Sequence, residues 1–149
     1  MKIGLVCPYN LFKGGGVQEC VAALRSELSS RGHEALIITP QPREYDGPVP
    51  EYVRLLGRST DVKSPFHTTA QVSVSVDPKQ VDTLLETEHF DILHFHEPWV
   101  PLLSRQLLLR SQAKNIATFH AKLPETIMAK TIERVITPYT SSLLKYLDV

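Results

Sequence analysis

The stretch KIGLVCPYNLFKGGGVQECVAALRSELSSRGHEALIITP, residues 2–40, decides the fold. It opens on a short apolar run with β-branched residues, Lys2–Cys7, which reads as a buried strand. A Pro/Asn/Gly-rich loop follows and ends at Gly16. From there Val17, Val21, Leu24 and Leu28 recur at helical spacing, and Gly32 follows Arg31 where a helix C-cap falls. EALIITP supplies the next strand, closed by Pro40. Strand, loop, helix and strand make the βαβ crossover of a parallel sheet, which is right-handed in almost every case. The consecutive glycines Gly14, Gly15 and Gly16 cost conformational entropy on folding. They call either for positive φ, for another group coming close to the backbone, or for nothing more than a surface turn. A phosphate facing the backbone N–H groups at the start of the helix is the ligand chemistry that such a loop suits.

Working outward, residues 40–50 hold four prolines and a glycine and predict a surface excursion. YVRLLG and the alternating QVSVSV read as further strands. Asp77 is an N-cap with Pro78 at the first helical position, and Val81, Leu84 and Leu85 form the apolar face of a short acidic helix. FDILHF, 90–95, is another buried strand. Pro101 opens a Leu-rich helix, NIATFH (115–120) is the last clear strand, and Pro124 starts a helical pattern that Pro138 should kink or divide. Alternating apolar strands and helices predict an α/β fold, a doubly wound and mostly parallel sheet forming a single domain over residues 1–149.

With 16 basic residues against 16 acidic ones, the chain has no global pull toward nucleic acid, so any anion site is local. The apolar start is too short for a signal-peptide core and no segment reaches membrane-spanning length, which predicts a cytoplasmic protein. Cys7 and Cys20 fit that compartment as reduced, buried thiols.

In a doubly wound sheet, ligands bind outside the carboxyl ends of the strands. Three unusual stretches fall on that edge: the glycine loop, HFHEPW after Ile92–Leu93, and HAK after Ala117–Phe119. A dinucleotide loop fits badly, because Glu19 stands at the third glycine position and the second strand ends in Thr39-Pro40 without a ribose-binding carboxylate. A Walker A loop fails for want of G-K-[ST]. His94, His96 and His120 on one rim suit a metal-dependent hydrolase, with Glu97 as ligand or base, although no further carboxylate cluster completes it. A non-catalytic sugar- or nucleotide-binding module is a further alternative.

The ordered trio G-G-V-Q, H-x-H-E-P and T-F-H-A, within GLVCPYNLFKGGGVQ, FDILHFHEPWVPLLS and IATFHA, resembles the N-terminal domain of retaining GT-B glycosyltransferases. Within that family it is most similar to bacterial phosphatidylinositol mannosyltransferases. The resemblance implies a Rossmann-like, acceptor-side half of an enzyme whose donor-binding C-terminal domain is absent from this chain. It implies transfer of a sugar, mannose by preference, from a nucleotide-sugar donor such as GDP-mannose to a lipid or glycan acceptor, with no metal and no other cofactor needed for the chemistry. On that likeness Gly15 and Gly16 bring backbone amides to the donor pyrophosphate, and His120 faces the transferred sugar as the catalytic residue. Tyr9, Gln18 and His67 contact the acceptor, while Glu97 shapes the site. The stretch SPFHTTA, which carries His67, departs from the family's aromatic-Asn-Gly-Ser-like segment and argues against inositol specificity. The acidic helix Pro78–His89 argues against membrane attachment through that helix, so any peripheral contact with the inner face of the cell membrane lies elsewhere. The isolated chain is expected to be inactive on its own.

Overall fold

The computed structural model describes residues 1–63, 69–100, 102–120 and 127–148. The elements run β1 (Lys2–Val6), α1 (Gly16–Ser30), β2 (Glu34–Gln41), β3 (Val53–Lys63), β4 (Thr69–Ser75), α2 (Pro78–Glu88), β5 (Ile92–His96), α3 (Leu103–Arg110), β6 (Lys114–Thr118) and α4 (Ile127–Leu144). They form one sheet in the order β4-β3-β2-β1-β5-β6. All neighbouring pairs are parallel except β3 with β4, so an antiparallel strand edges a parallel sheet.

The period-2 pattern of β1 divides the core. Ile3 and Leu5 pack with Val21 of α1 and with Ile37 and Val53 on one face. Val6 packs with Val81 of α2, Leu103 and Leu107 of α3, and Leu143 of α4 on the other. Helices therefore cover both faces, which is why the central strands read as unbroken apolar runs.

Local signals set the helix ends. Asp77 caps α2, its carboxylate accepting from the Lys79 N–H at 3.0 Å with Pro78 at the first turn. Gly32, at φ +81, follows the α1 C-cap Arg31, and the Arg31, Gly32 and His33 N–H groups close on Glu27, Ser29 and Leu28 carbonyls.

Three expectations need correction. β2 does not stop at Pro40 but runs to Gln41, because the missing N–H falls at the register shift between Thr39 and Gln41, where pairing with β3 is already interrupted. Pro138 does not divide its helix. α4 continues through it, with Tyr139 and Leu143 beyond it packed into the α2–α3–α4 side of the core. Cys20 is exposed on α1, not buried, whereas Cys7 lies in the core just past β1 and burial pushes its thiol up to about 12. The expected start at Pro124 and the opening residue Pro101 lie outside the described residues.

Gly4 lets Phe90 and Leu93 close on the central strand: a Cβ there would stand 2.6 Å from Leu93 Cδ2 and 3.0 Å from the Phe90 ring. Gly4→Ala is therefore expected to lower unfolding free energy by about 1–3 kcal/mol through overpacking, measured by urea denaturation. An unchanged or higher midpoint would show that this contact is not tight.

Candidate functional site at the carboxyl edge of the sheet

The strand order reverses between β1 and β5, and the crevice beyond their carboxyl ends is the natural ligand position in such a sheet. The glycine loop after β1, the turn after β5 and the Phe119–His120 step after β6 all open on this edge. A cavity of about 470 Å³ lies at the opposite, amino edge, lined in part by Asp82, Glu86, His89 and Arg110. It lies at the other end of the strands from the glycine loop and from His96 and His120.

Glu97 turns the chain at the end of β5. Its φ of 54 is in the left-handed region, where a residue with a Cβ is strained by about 1–3 kcal/mol unless its surroundings hold it. The surroundings do: its N–H donates to the Thr118 carbonyl at 2.9 Å and its own carbonyl accepts from Val100 N–H at 3.1 Å. Its buried carboxylate accepts from the Trp99 indole N–H through Oε2 and from the His120 backbone N–H through Oε1. The carboxylate fastens the β5 turn to the end of β6. Both its oxygens thus accept a hydrogen bond that holds the turn, and Glu97 is not in the group of converging ligand atoms among the described residues.

His94 and His96, two residues apart on β5, share one face, with ring centroids 4.4 Å apart, and His96 stacks on His120 at 5.0 Å. His94 Nε2 lies 2.8 Å from Thr118 Oγ1, and His96 Nδ1 lies 2.8 Å from His120 Nε2. Burial, followed by the His94 and His120 charges, pushes the His96 pKa down to about 3. Burial, followed by His120, also lowers that of His94. His96 is thus a neutral ring, and a single proton serves the bond between it and His120. His96 Nε2 is buried with no hydrogen-bond partner among the described residues.

The glycine loop is organised by Gln18. Its side-chain amide donates to the Asn10 carbonyl at 3.3 Å and the Lys13 carbonyl at 2.9 Å. None of Gly14, Gly15 and Gly16 adopts the left-handed backbone conformation that favours glycine, so that reason for the glycines does not apply. Gly15 is extended, at φ 173, and a Cβ there would meet Gln18 Oε1 at 2.6 Å, so its missing side chain makes room for the brace. Around Gly16 a Cβ would meet nothing within 4 Å, and no side chain among the described residues caps the start of α1. Tyr9 is half-buried beside this loop, its carbonyl accepting from Thr39 Oγ1 at 2.7 Å. Burial, and then the Glu97 charge, push its phenol up, so the hydroxyl is neutral. His67 lies outside the described residues.

The trio His94, His96 and His120 is not the group of ligand atoms that converges. Among the described residues, Cys20, His96 and His120 each offer one atom, all within 4.8 Å of one another. Cys20 escaped notice as a site residue, although its place four residues after Gly16 puts it on the same face of α1 as the opened helix start.

Residues 14–148 match the model of Glycosyltransferase Family 4. The chain is 30% identical over 147 residues to the phosphatidyl-myo-inositol mannosyltransferase of Mycobacterium leprae, covering 97% of this chain and 38% of that protein. It is 33% identical over 143 residues to the protein of the same name from Propionibacterium freudenreichii subsp. shermanii, covering 91% and 37%. The Mycolicibacterium smegmatis counterpart is 29% identical over 146 residues, covering 97% and 37%. The chain thus spans little more than a third of the length of the curated relatives it matches.

A His96 pKa depressed to about 3 has a definite sign. The unfolded chain takes up a proton at this ring below about pH 6.5 and the folded chain does not, so stability is lost as pH falls from there toward 3. Between pH 6.5 and pH 5 this group is expected to cost roughly 1–2 kcal/mol of unfolding free energy. Ring ¹⁵N NMR should show His96 still neutral at pH 5; an imidazolium signal for it there would contradict the burial argument.

Proposed function

The chain belongs to glycosyltransferase family 4, and on that footing we propose that it is the acceptor-side half of a retaining, nucleotide-sugar-dependent glycosyltransferase, with mannose the preferred sugar. The observation that carries the proposal is that the second turn of α1, through Cys20, comes within 4.8 Å of the His120 ring at the switch-point crevice. The open backbone at Gly16 suits a pyrophosphate: N–H groups and the positive helix end offset its charge, and no side chain blocks the approach. His120 is exposed and bonded on one side to neutral His96, which fits it to hold a sugar hydroxyl in register as the glycosidic bond changes hands.

Gly15 serves this site by admitting Gln18, and Gln18 serves it by holding the loop beside the acceptor through its amide N–H groups. Tyr9 offers a neutral phenol on the same side. Glu97 shapes the rim through its two bonds and takes no part in transfer. The positively charged groups that neutralise the leaving diphosphate, and the residues that hold the donor's ribose, belong in this reading to a C-terminal donor-binding domain, and the chemistry needs no metal. No helix among the described residues is long and apolar enough to cross a membrane. In this reading, contact with a lipid acceptor is peripheral, from the cytoplasmic side.

The test uses the chain joined to its donor-binding domain, assayed with GDP-mannose and UDP-glucose against lipid and glycan acceptors. His120→Ala is expected to lower kcat roughly 10²–10³-fold while shifting Tm little, because the exposed ring adds little packing and the backbone bond to Glu97 survives. Gly16→Val is expected to raise KM for the donor. Transfer by the 149-residue chain alone, or wild-type kinetics in both variants, would overturn the reading.

A further inference from the structure

We propose that Cys20, His96 and His120 form a binding site for a soft divalent cation of the zinc type. The three side chains come from different elements: the thiol from the second turn of α1, one imidazole from the end of β5 and the other from beyond β6. A ligand atom from each lies within 4.8 Å of the others. Zinc binds thiolate at about 2.3 Å and imidazole nitrogen at about 2.0–2.1 Å in tetrahedral sites, which sets ligand atoms somewhat over 3 Å apart. His96 Nδ1 and His120 Nε2, now 2.8 Å apart around one proton, need to separate only by a fraction of an ångström to admit an ion.

The proton balance is simple. The cation takes the place of the proton shared by the rings. With both rings neutral and His96 Nδ1 and His120 Nε2 turned to the cation, each ring keeps its one proton on its other nitrogen, His96 Nε2 and His120 Nδ1, so the shared proton moves to the far nitrogen of the ring that carries it and none is lost from the pair. The exposed Cys20 thiol releases its proton to solvent on becoming a ligand, so binding frees one proton and tightens with pH. Thiolate and imidazole together select zinc-like ions over magnesium or calcium. Three protein ligands leave the fourth position to water or to an anionic group in the crevice. Glu97 supports the site without entering it, since its carboxylate already fixes the His120 backbone. An ion so placed occupies the ring nitrogen assigned above to the sugar. Zinc is therefore an inhibitor of the proposed transfer, released by chelators; that consequence rests on the transferase reading, whereas the binding does not.

The experiment titrates the untagged, reduced chain with Co²⁺ as a spectroscopic probe and with Zn²⁺ in competition. Expected are one ion per chain, a thiolate-to-cobalt charge-transfer band, and its loss in Cys20→Ser with at least about a tenfold weaker Zn²⁺ affinity. In the wild-type chain Zn²⁺ should also protect Cys20, but not reagents' access elsewhere, from iodoacetamide, read by peptide mass spectrometry. Cobalt binding without the charge-transfer band, equal Zn²⁺ affinity in Cys20→Ser, or unprotected Cys20 at saturating Zn²⁺ would overturn the site.

Discussion

The carboxyl edge of this domain depends on one buried carboxylate. Glu97 sits where β5 ends, in a backbone conformation that only its own hydrogen bonds and those of the turn make tolerable. One oxygen takes the Trp99 indole N–H within the turn, and the other takes the His120 N–H from the neighbouring strand end. A single side chain thus fixes the rim internally and fixes it to β6. The charge is buried, and hydrogen bonds to the charged form offset what desolvation costs.

On that frame the imidazoles form a stack running across the sheet rather than along a single strand. His94 is tied to Thr118, and His96 is tied to His120, so β5 and β6 are linked at two side-chain bonds beyond their backbone ladder. Burial keeps His96 neutral. His96 is therefore a hydrogen-bonding partner for His120 at neutral pH rather than a fixed positive charge, a property that suits the holding of sugar hydroxyls and, equally, the capture of a soft cation.

The fold was legible because its signals are local. The period of 3.6 through Val17, Val21, Leu24 and Leu28, the Asp77-Pro78 cap and the apolar runs of β1, β2 and β5 each specify an element from neighbouring residues alone. The convergence of three loops on one edge followed from topology. What could not be read depends on register and packing. The pairing of His96 with Thr118 across β5 and β6 places His120 against His96, and no stretch of sequence encodes that offset by itself. The role of Gly15 was hidden for the same reason: the glycine accommodates the Gln18 amide three residues on, not a left-handed turn. Cys20 looked like a core thiol because cysteine usually is one, while its true exposure depends on which side of α1 faces the sheet. Pro138 looked like a break because proline removes a helical hydrogen bond, yet tertiary packing of Tyr139 and Leu143 outweighs that local loss.

The central claim is that the crevice at the carboxyl ends of β1, β5 and β6 receives a nucleotide sugar. Backbone amide NMR of the ¹⁵N-labelled chain during titration with GDP-mannose tests it most directly, since even weak binding by one half of a cleft moves the amides it touches. The account predicts shifts concentrated at Gly15, Gly16, Val17 and His120. Shifts confined to the amino-edge cavity around Asp82, His89 and Arg110, or no shifts at millimolar donor, would contradict it.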